Sequence, residues 1–290
     1  MKHPDSSPPC VVVGVDGSPA ALGAALWAVD EAVSRDIPLR LVYAIGPSDG
    51  ARPDAHIAAH ELATAEIALR YAYTAIESTE KPVKIEVEIL QGRTPTRALL
   101  EASRSAVMVC LGSIGLKHAT QARVGSTAAA VSASAHCPVA VIRSDDPQRH
   151  EPAWIVAEVD GTCASNSVLQ RGLDEARLRD APLHVLSCWQ SRFTDIHDSH
   201  AVGDGNRLAK AELDRRLGVW KRRYPALDIR PVVVHGNTLT YLAKNAASIQ
   251  LVVVGRERAR GVSDLIGPLG HAALHDTNCS VLICESRNVL

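Results

Sequence analysis

The 290-residue chain has room for two domains of about 145 residues, a size at which one hydrophobic core is stable. A hydrophobic share of 46%, a charged share of 22% and a net charge of -1 are ordinary for a globular protein and give nucleic acid no electrostatic footing. No apolar run approaches the roughly 20 residues that span a bilayer, so neither nucleic acid nor a membrane is an expected partner.

Residues 1–9 are polar and proline-rich and read as a disordered leader rather than a signal peptide with an apolar core, which points to a cytoplasmic protein. Short β-rich apolar runs follow at 10–15, 39–44, 83–90, 107–111 and 139–142, with helical patterns between them near 20–34, 57–78, 95–103 and 126–135. Residues 144–153, charged and bearing prolines, read as a linker. A second set of strands is expected at 154–159, 183–188, 229–234, 251–254 and 281–284. Its helices are expected near 164–178, 207–223, 240–247 and 269–276. The longest connections without a period, 47–56 and 190–205, follow the second strand of each set.

The two sets are copies of one unit. Trp27-Ala-Val-Asp-Glu-Ala-Val-Ser-Arg-Asp-Ile-Pro-Leu39 and Arg171-Gly-Leu-Asp-Glu-Ala-Arg-Leu-Arg-Asp-Ala-Pro-Leu183 match at an offset of 144. The same offset of 144 relates Asp16-Gly17 to Asp160-Gly161 and Gly92-x-Thr94 to Gly236-x-Thr238, and it slips to 143 for Gly112 and Gly255. Strands separated by helices imply right-handed crossovers, so each copy is expected to be α/β, a doubly wound five-stranded parallel sheet with helices on both faces. The expected domains are 10–143 and 154–290.

In the first copy a strand ends at Gly112 and a loop runs to Gly125-Ser126-Thr127, which opens an alanine-rich helix. Glycines let backbone approach an anion without a Cβ in the way, and the free N–H groups and dipole of a helix start favour negative charge. Ser113, Ser126 and Thr127 add hydroxyl donors. Asp16 ends the first strand before Gly-Ser-Pro, where a turn or cap role competes with a ligand contact.

The pattern Gly112-x2-Gly115-x9-Gly125-Ser126, with Val11-Val-Val-Gly-Val-Asp16-Gly17-Ser18, resembles the ATP-binding type of universal stress protein. The resemblance covers nearly the whole chain and implies tandem Rossmann-like, HUP-type domains related by a pseudo-twofold axis. It implies ATP with Mg2+ as the ligand: Gly14, Val15 and Asp16 at the adenosine, the Ala44 backbone at the adenine edge, and Leu111 under the nucleotide. Gly112, Ser113, Gly115, Gly125, Ser126 and Thr127 would then receive ribose and phosphates. It also implies pairing through the last strand, as a homodimer or as an intramolecular pseudo-dimer of the two copies, and an unidentified protein partner.

In the second copy Arg258 stands at the second glycine, the spacer to Gly267 is shorter, Pro268 replaces the Ser/Thr, and Glu158 replaces Gly14. Proline removes a donor and the side chains fill phosphate space, so this half is expected to be inactive. Arg256, Arg258 and Arg260 leave another anion open, as Lys117, His118 and Arg123 in the first loop leave open either phosphate contact or a solvated face.

No Walker A sequence, nucleophile elbow or Cys-x-x-Cys pair occurs, and no general base stands beside the phosphate loop. The seven cysteines read as buried thiols, the pairs His56/His60 and His271/His275 as surface or packing residues rather than metal ligands, and Glu212 and Asp214 as part of a charged helix face. ATP binding with slow or no hydrolysis is therefore expected. Two rivals stand beside it: a nucleotide-independent structural or signalling scaffold working through protein contacts, and an ATP-hydrolysing or adenylyl-transferring enzyme.

Overall fold

A computed structural model describes residues 8–47, 55–113, 124–143, 153–160, 164–190, 199–257, 261–266 and 279–285. The chain divides into two compact units, Met1–Pro147 and Gln148–Leu290. Among the described residues no helix is long and apolar enough to cross a membrane.

In the first unit, strands β1 (Cys10–Gly14), β2 (Leu39–Ile45), β3 (Ile85–Gln91), β4 (Ala106–Gly112) and β5 (Val139–Ile142) alternate with helices α1 (Pro19–Arg35), α2 (Ala55–Glu77), α3 (Pro95–Ala102) and α4 (Ser126–Ser134). The strands are parallel in the order β3-β2-β1-β4-β5. The chain winds outward from β1 to β3 and then returns to β4, so the direction of winding reverses between β1 and β4. Helices α1 and α2 pack together, as do α3 and α4. Sheet burial on both faces explains why β1, β4 and β5 read as unbroken Val, Ala, Cys and Leu runs.

The second unit repeats the plan with β6 (Trp154–Glu158), α5 (Ala164–Leu178), β7 (Leu183–Trp189), α6 (Ser199–Arg223), β8 (Ile229–His235), α7 (Thr238–Asn245), β9 (Ile249–Gly255), the short α8 (Ser263–Ile266) and β10 (Ser280–Cys284). Its parallel order is β10-β9-β6-β7-β8. Each unit is therefore the expected doubly wound α/β domain.

The repeated sequence has physical reasons. Asp36 and Asp180 end α1 and α5 in the left-handed region, at φ 52° and 46°, where a short polar side chain is tolerated. Glu31 and Glu175 of the shared Asp-Glu-Ala are fully buried and each meets the arginine one turn on, Arg35 and Arg179.

One expectation needs correction. Helix α6 starts at Ser199, within the stretch 190–205 read as a connection for want of a helical period. Gly205 is there for space: a Cβ on it would lie 2.2 Å from the Trp189 indole, whose Nε1 donates to Asn206 Oδ1 at 2.7 Å. The match of Gly92 and Thr94 to Gly236 and Thr238 holds in the structure, where both glycines follow a strand at positive φ, but the helix caps differ by one residue. Thr94 caps α3, accepting from Arg97 N–H, whereas α7 is capped by Asn237, accepting from Thr240 N–H, and Thr238 is the first residue inside the helix. Residues 144–152 of the expected linker at 144–153, the loop residues Gly115, Lys117, His118 and Arg123, and the expected helix at 269–276 with His271 and His275 lie outside the described residues, as do Arg258, Arg260, Gly267 and Pro268.

Candidate functional site

Because β1, β2 and β4 are parallel neighbours, Gly14, Ala44 and Gly112 end on one edge of the sheet, at the reversal of winding where open α/β sheets form a crevice. Gly14 pairs in register with Val42, and Gly112 with Ile142. Val15 extends the edge, its N–H donating to Val42 C=O at 2.9 Å. Of the residues expected there, Val15, Leu111 and Ser113 are buried, Gly14, Asp16, Ala44, Gly112, Gly125 and Thr127 are half-buried, and Ser126 is exposed.

The turn after β1 is built by its own side chains. Asp16 Oδ1 accepts from Ser18 N–H at 2.9 Å, Gly17 takes φ 84°, and Ser18 Oγ caps α1 by accepting from Ala21 N–H at 3.1 Å. The first helix therefore has its start closed. Burial, with the negative charges of Asp16 and Glu61 nearby, pushes the Tyr43 phenol above its usual range. Tyr43 of β2 thus lies within electrostatic reach of Asp16 in the turn and of Glu61 on α2. The expectation had passed over both, although a tyrosine one residue before Ala44 at a strand end was a visible signal.

Two glycines of the motif have packing reasons. A Cβ on Gly112 would lie 2.5 Å from the Ala20 carbonyl carbon and 2.7 Å from the Ala21 nitrogen, so the first turn of α1 crosses β4 only over a glycine. A Cβ on Gly14 would lie 2.6 Å from Leu111 Cδ2 and 3.2 Å from Leu99 Cδ1. The expectation gave Gly112 a ligand role alone; close helix-on-strand packing already requires it.

Beyond β4, the Ser113 N–H donates to Ile142 C=O at 2.9 Å, and Gly125 N–H donates to Ser113 C=O at 2.8 Å. These bonds bring together the two ends of the segment between β4 and α4. They also take the backbone donors of Ser113 and Gly125. Helix α4 then begins with Gly125 at φ -56°, ψ 143° as its cap and no side chain accepting from its first turn, unlike α1, α3 and α7. Among the described residues, the N–H groups of Ser126 and Thr127 have no acceptor. They stand beside two hydroxyls at the positive end of a helix, an arrangement whose chemistry is anion binding. No cluster of three or more His, Cys, Asp or Glu side chains able to hold a metal occurs among the described residues.

The corresponding edge of the second unit is occupied by its own side chains. Glu158, at the register of Gly14, accepts a hydrogen bond from the Thr238 hydroxyl, and Thr238 Oγ1 lies 3.4 Å from Cys188 Sγ, where the first unit has Ala44. Thr238 is buried. Asp160 accepts from Ser165 Oγ at 2.8 Å. Arg256 Nη1 lies 3.2 Å from Glu285 Oε1, so its charge is already met. At Gly255 a Cβ would make only an ordinary 3.5 Å contact with Val168 Cγ2, so the packing demand at Gly112 is absent.

The profile of the Universal stress protein family matches residues 10–143 and again 155–285. Universal stress protein Rv2028c of Mycobacterium tuberculosis (strain ATCC 25618 / H37Rv) is 47% identical over 277 residues, covering 95% of this chain and 96% of that one. Universal stress protein Rv3134c of the same strain is 42% identical over 288 residues, covering 96% and 97%. A crystal structure of a universal stress protein from Archaeoglobus fulgidus DSM 4304 superimposes with a TM-score of 0.71 at 16% identity, covering 95% of this chain and 96% of that chain, a likeness of fold.

Proposed function

The chain belongs to the universal stress protein family, and from that premise we propose that its first unit is a regulatory module binding ATP across the sheet edge, with no nucleotide in the second unit. The observation that carries this reading is the start of α4, where the Ser126 and Thr127 N–H groups and hydroxyls have no protein acceptor among the described residues. In this reading those groups take phosphate oxygens. Ser113 and Gly125 shape the turn, and Gly115 lies in the loop between them. Gly14, Val15, Asp16 and Ala44 border the adenosine, with Leu111 beneath it. With no metal cluster among the described residues, Mg2+ is expected to arrive on the triphosphate.

The self-filled edge of the second unit supports a single nucleotide site. Isothermal titration of the full chain with Mg-ATP is expected to give saturable binding at one site, weakened by Gly115→Asp. No heat at millimolar ATP, or unchanged affinity in Gly115→Asp, overturns the reading.

A second reading, a nucleotide-independent scaffold acting through protein contacts, is favoured by the packing reasons for Gly14 and Gly112 and by the Gly125 N–H bond, which account for part of the motif without a ligand. Under it the titration is silent while the fold is intact.

A further inference from the structure

The two units differ in how their first two helices meet. In the first, Leu69, Ala72 and Ile76 of α2 are buried and α2 packs directly on α1. At the offset of 144, fixed by Glu31 with Glu175 and Asp36 with Asp180, the second unit has Leu213, Arg216 and Trp220. Leu22 of α1 becomes Asn166 of α5. The small Ala72 that lets two helices close is replaced by an arginine, and α5 and α6 have few contacts.

Between them lies a partly open cavity of about 170 Å³. Leu169, Val185, Leu213 and Leu217 form its apolar wall. Trp220, Arg216, Asn166 and Val159, the last just beyond β6, complete the lining, and Asn166 is exposed. The size matters, since an engineered cavity of about 150 Å³ lined by aliphatic and aromatic side chains takes up benzene.

The charge at the cavity is also distinctive. Along α6, Arg207 is paired with Asp204, Arg215 with Glu212, and Lys221 with Asp214. Arg223 lies over the Trp220 and Tyr224 rings. Arg216, half-buried at the cavity, has no acidic partner among the described residues. A planar guanidinium beside an amide and an apolar wall matches a carboxylate on a compact hydrophobic body.

We infer that the second unit binds a small monocarboxylate with an aromatic or branched apolar body between α5 and α6, its carboxylate on Arg216 and its body against Leu169, Leu213 and Trp220. This site is separate from the nucleotide reading of the first unit and stands or falls without it.

The test is a 19F NMR titration of the full chain with 4-fluorobenzoate, with fluorobenzene as the neutral counterpart. Saturation at or below about 5 mM is expected, accompanied by a change in tryptophan emission and unaffected by ATP. Arg216→Gln should weaken fluorobenzoate about tenfold or more while leaving fluorobenzene binding as it was. A triple variant carrying the first unit's residues, Asn166→Leu, Arg216→Ala and Trp220→Ile, should close the cavity and abolish binding of both probes. Circular dichroism and the melting midpoint establish that each variant is folded. Absence of saturation in the unaltered protein, equal affinity for the two probes, displacement by ATP, or undiminished binding in a folded Arg216→Gln protein overturns the inference.

Discussion

The Gly125 N–H donates to the Ser113 carbonyl across the loop between β4 and α4, at 2.8 Å, and this bond leaves α4 with a glycine cap and no side-chain acceptor over its first turn. The Gly125 backbone, at φ -56° and ψ 143°, lies in a region that any residue adopts. Binding and stability should therefore move in opposite directions there. Gly125→Asp supplies the missing cap and is expected to stabilise the first unit by a few tenths of a kcal/mol, since glycine is itself a fair cap. Its carboxylate also occupies the anion position and should abolish ATP binding. Gly125→Asn gives a similar thermal gain without the charge and should weaken ATP less. Parallel melting curves and titrations check this; ATP affinity unchanged in a stabilised Gly125→Asp protein would dissociate α4 from the nucleotide.

Gly112 and Gly255 occupy matching strand ends but meet different neighbours. A Cβ at 112 would strike the Ala20–Ala21 backbone at 2.5 to 2.7 Å, whereas one at 255 would touch a valine methyl at 3.5 Å. Backbone cannot rotate aside as a side chain can. Gly112→Ala is expected to cost about 1–3 kcal/mol or more, and Gly255→Ala less than about 1 kcal/mol. Denaturant titrations followed by far-UV dichroism read the two values. It follows that lost ATP binding in Gly112→Ala does not by itself identify a phosphate contact, while Gly125→Asp does separate the two effects.

The fold was legible because its signals are local. Val-rich runs, an Asp in the left-handed position after each first helix, and a repeated Asp-Glu-Ala act within a few residues of chain, so sequence spacing carries them. What escaped depends on neighbours far along the chain. The start of α6 showed no period because nothing nearby announces the Trp189 ring against which Gly205 packs. Gly112 looked like a ligand glycine because α1, which crosses it, lies some ninety residues earlier in the chain. The Glu158, Thr238 and Cys188 chain joins three separate elements, so the sequence yielded only that Glu158 was bulkier than Gly14.

His184 predicts a pH dependence confined to the second unit. It is stacked on Trp154 at 4.4 Å, with Nδ1 3.4 Å from the Tyr241 hydroxyl, and burial, then the Arg230 charge, hold it below its usual 6.5, with Asp228 opposing them. The unfolded chain then takes up a proton near 6.5 that the folded unit resists. Stability from this group is complete above 6.5 and falls as pH drops through that value toward the depressed folded one. The melting midpoint read through Trp154, Trp189 and Trp220 should be lower at about pH 5.5 than at about pH 7.5. In His184→Gln that difference should shrink. An undiminished difference would assign the effect to other groups.

Thr238 is the test of whether the second unit's strand edge is a filled core or an open site. Its hydroxyl donates to Glu158 and touches Cys188 Sγ, and it is buried at 3% exposure. Removing a donor from a half-buried carboxylate loses one hydrogen bond, at about 0.5–1.5 kcal/mol. Thr238→Val should therefore destabilise the second unit by about that amount. Once Glu158→Leu has removed the acceptor, the same substitution should cost clearly less, because the pair no longer exists to be broken. Throughout this double-mutant cycle the stoichiometry and affinity of ATP should stay those of the unaltered chain. A cycle with no coupling, or a nucleotide site gained or lost on changing Thr238, would show that this edge is not closed by its own side chains.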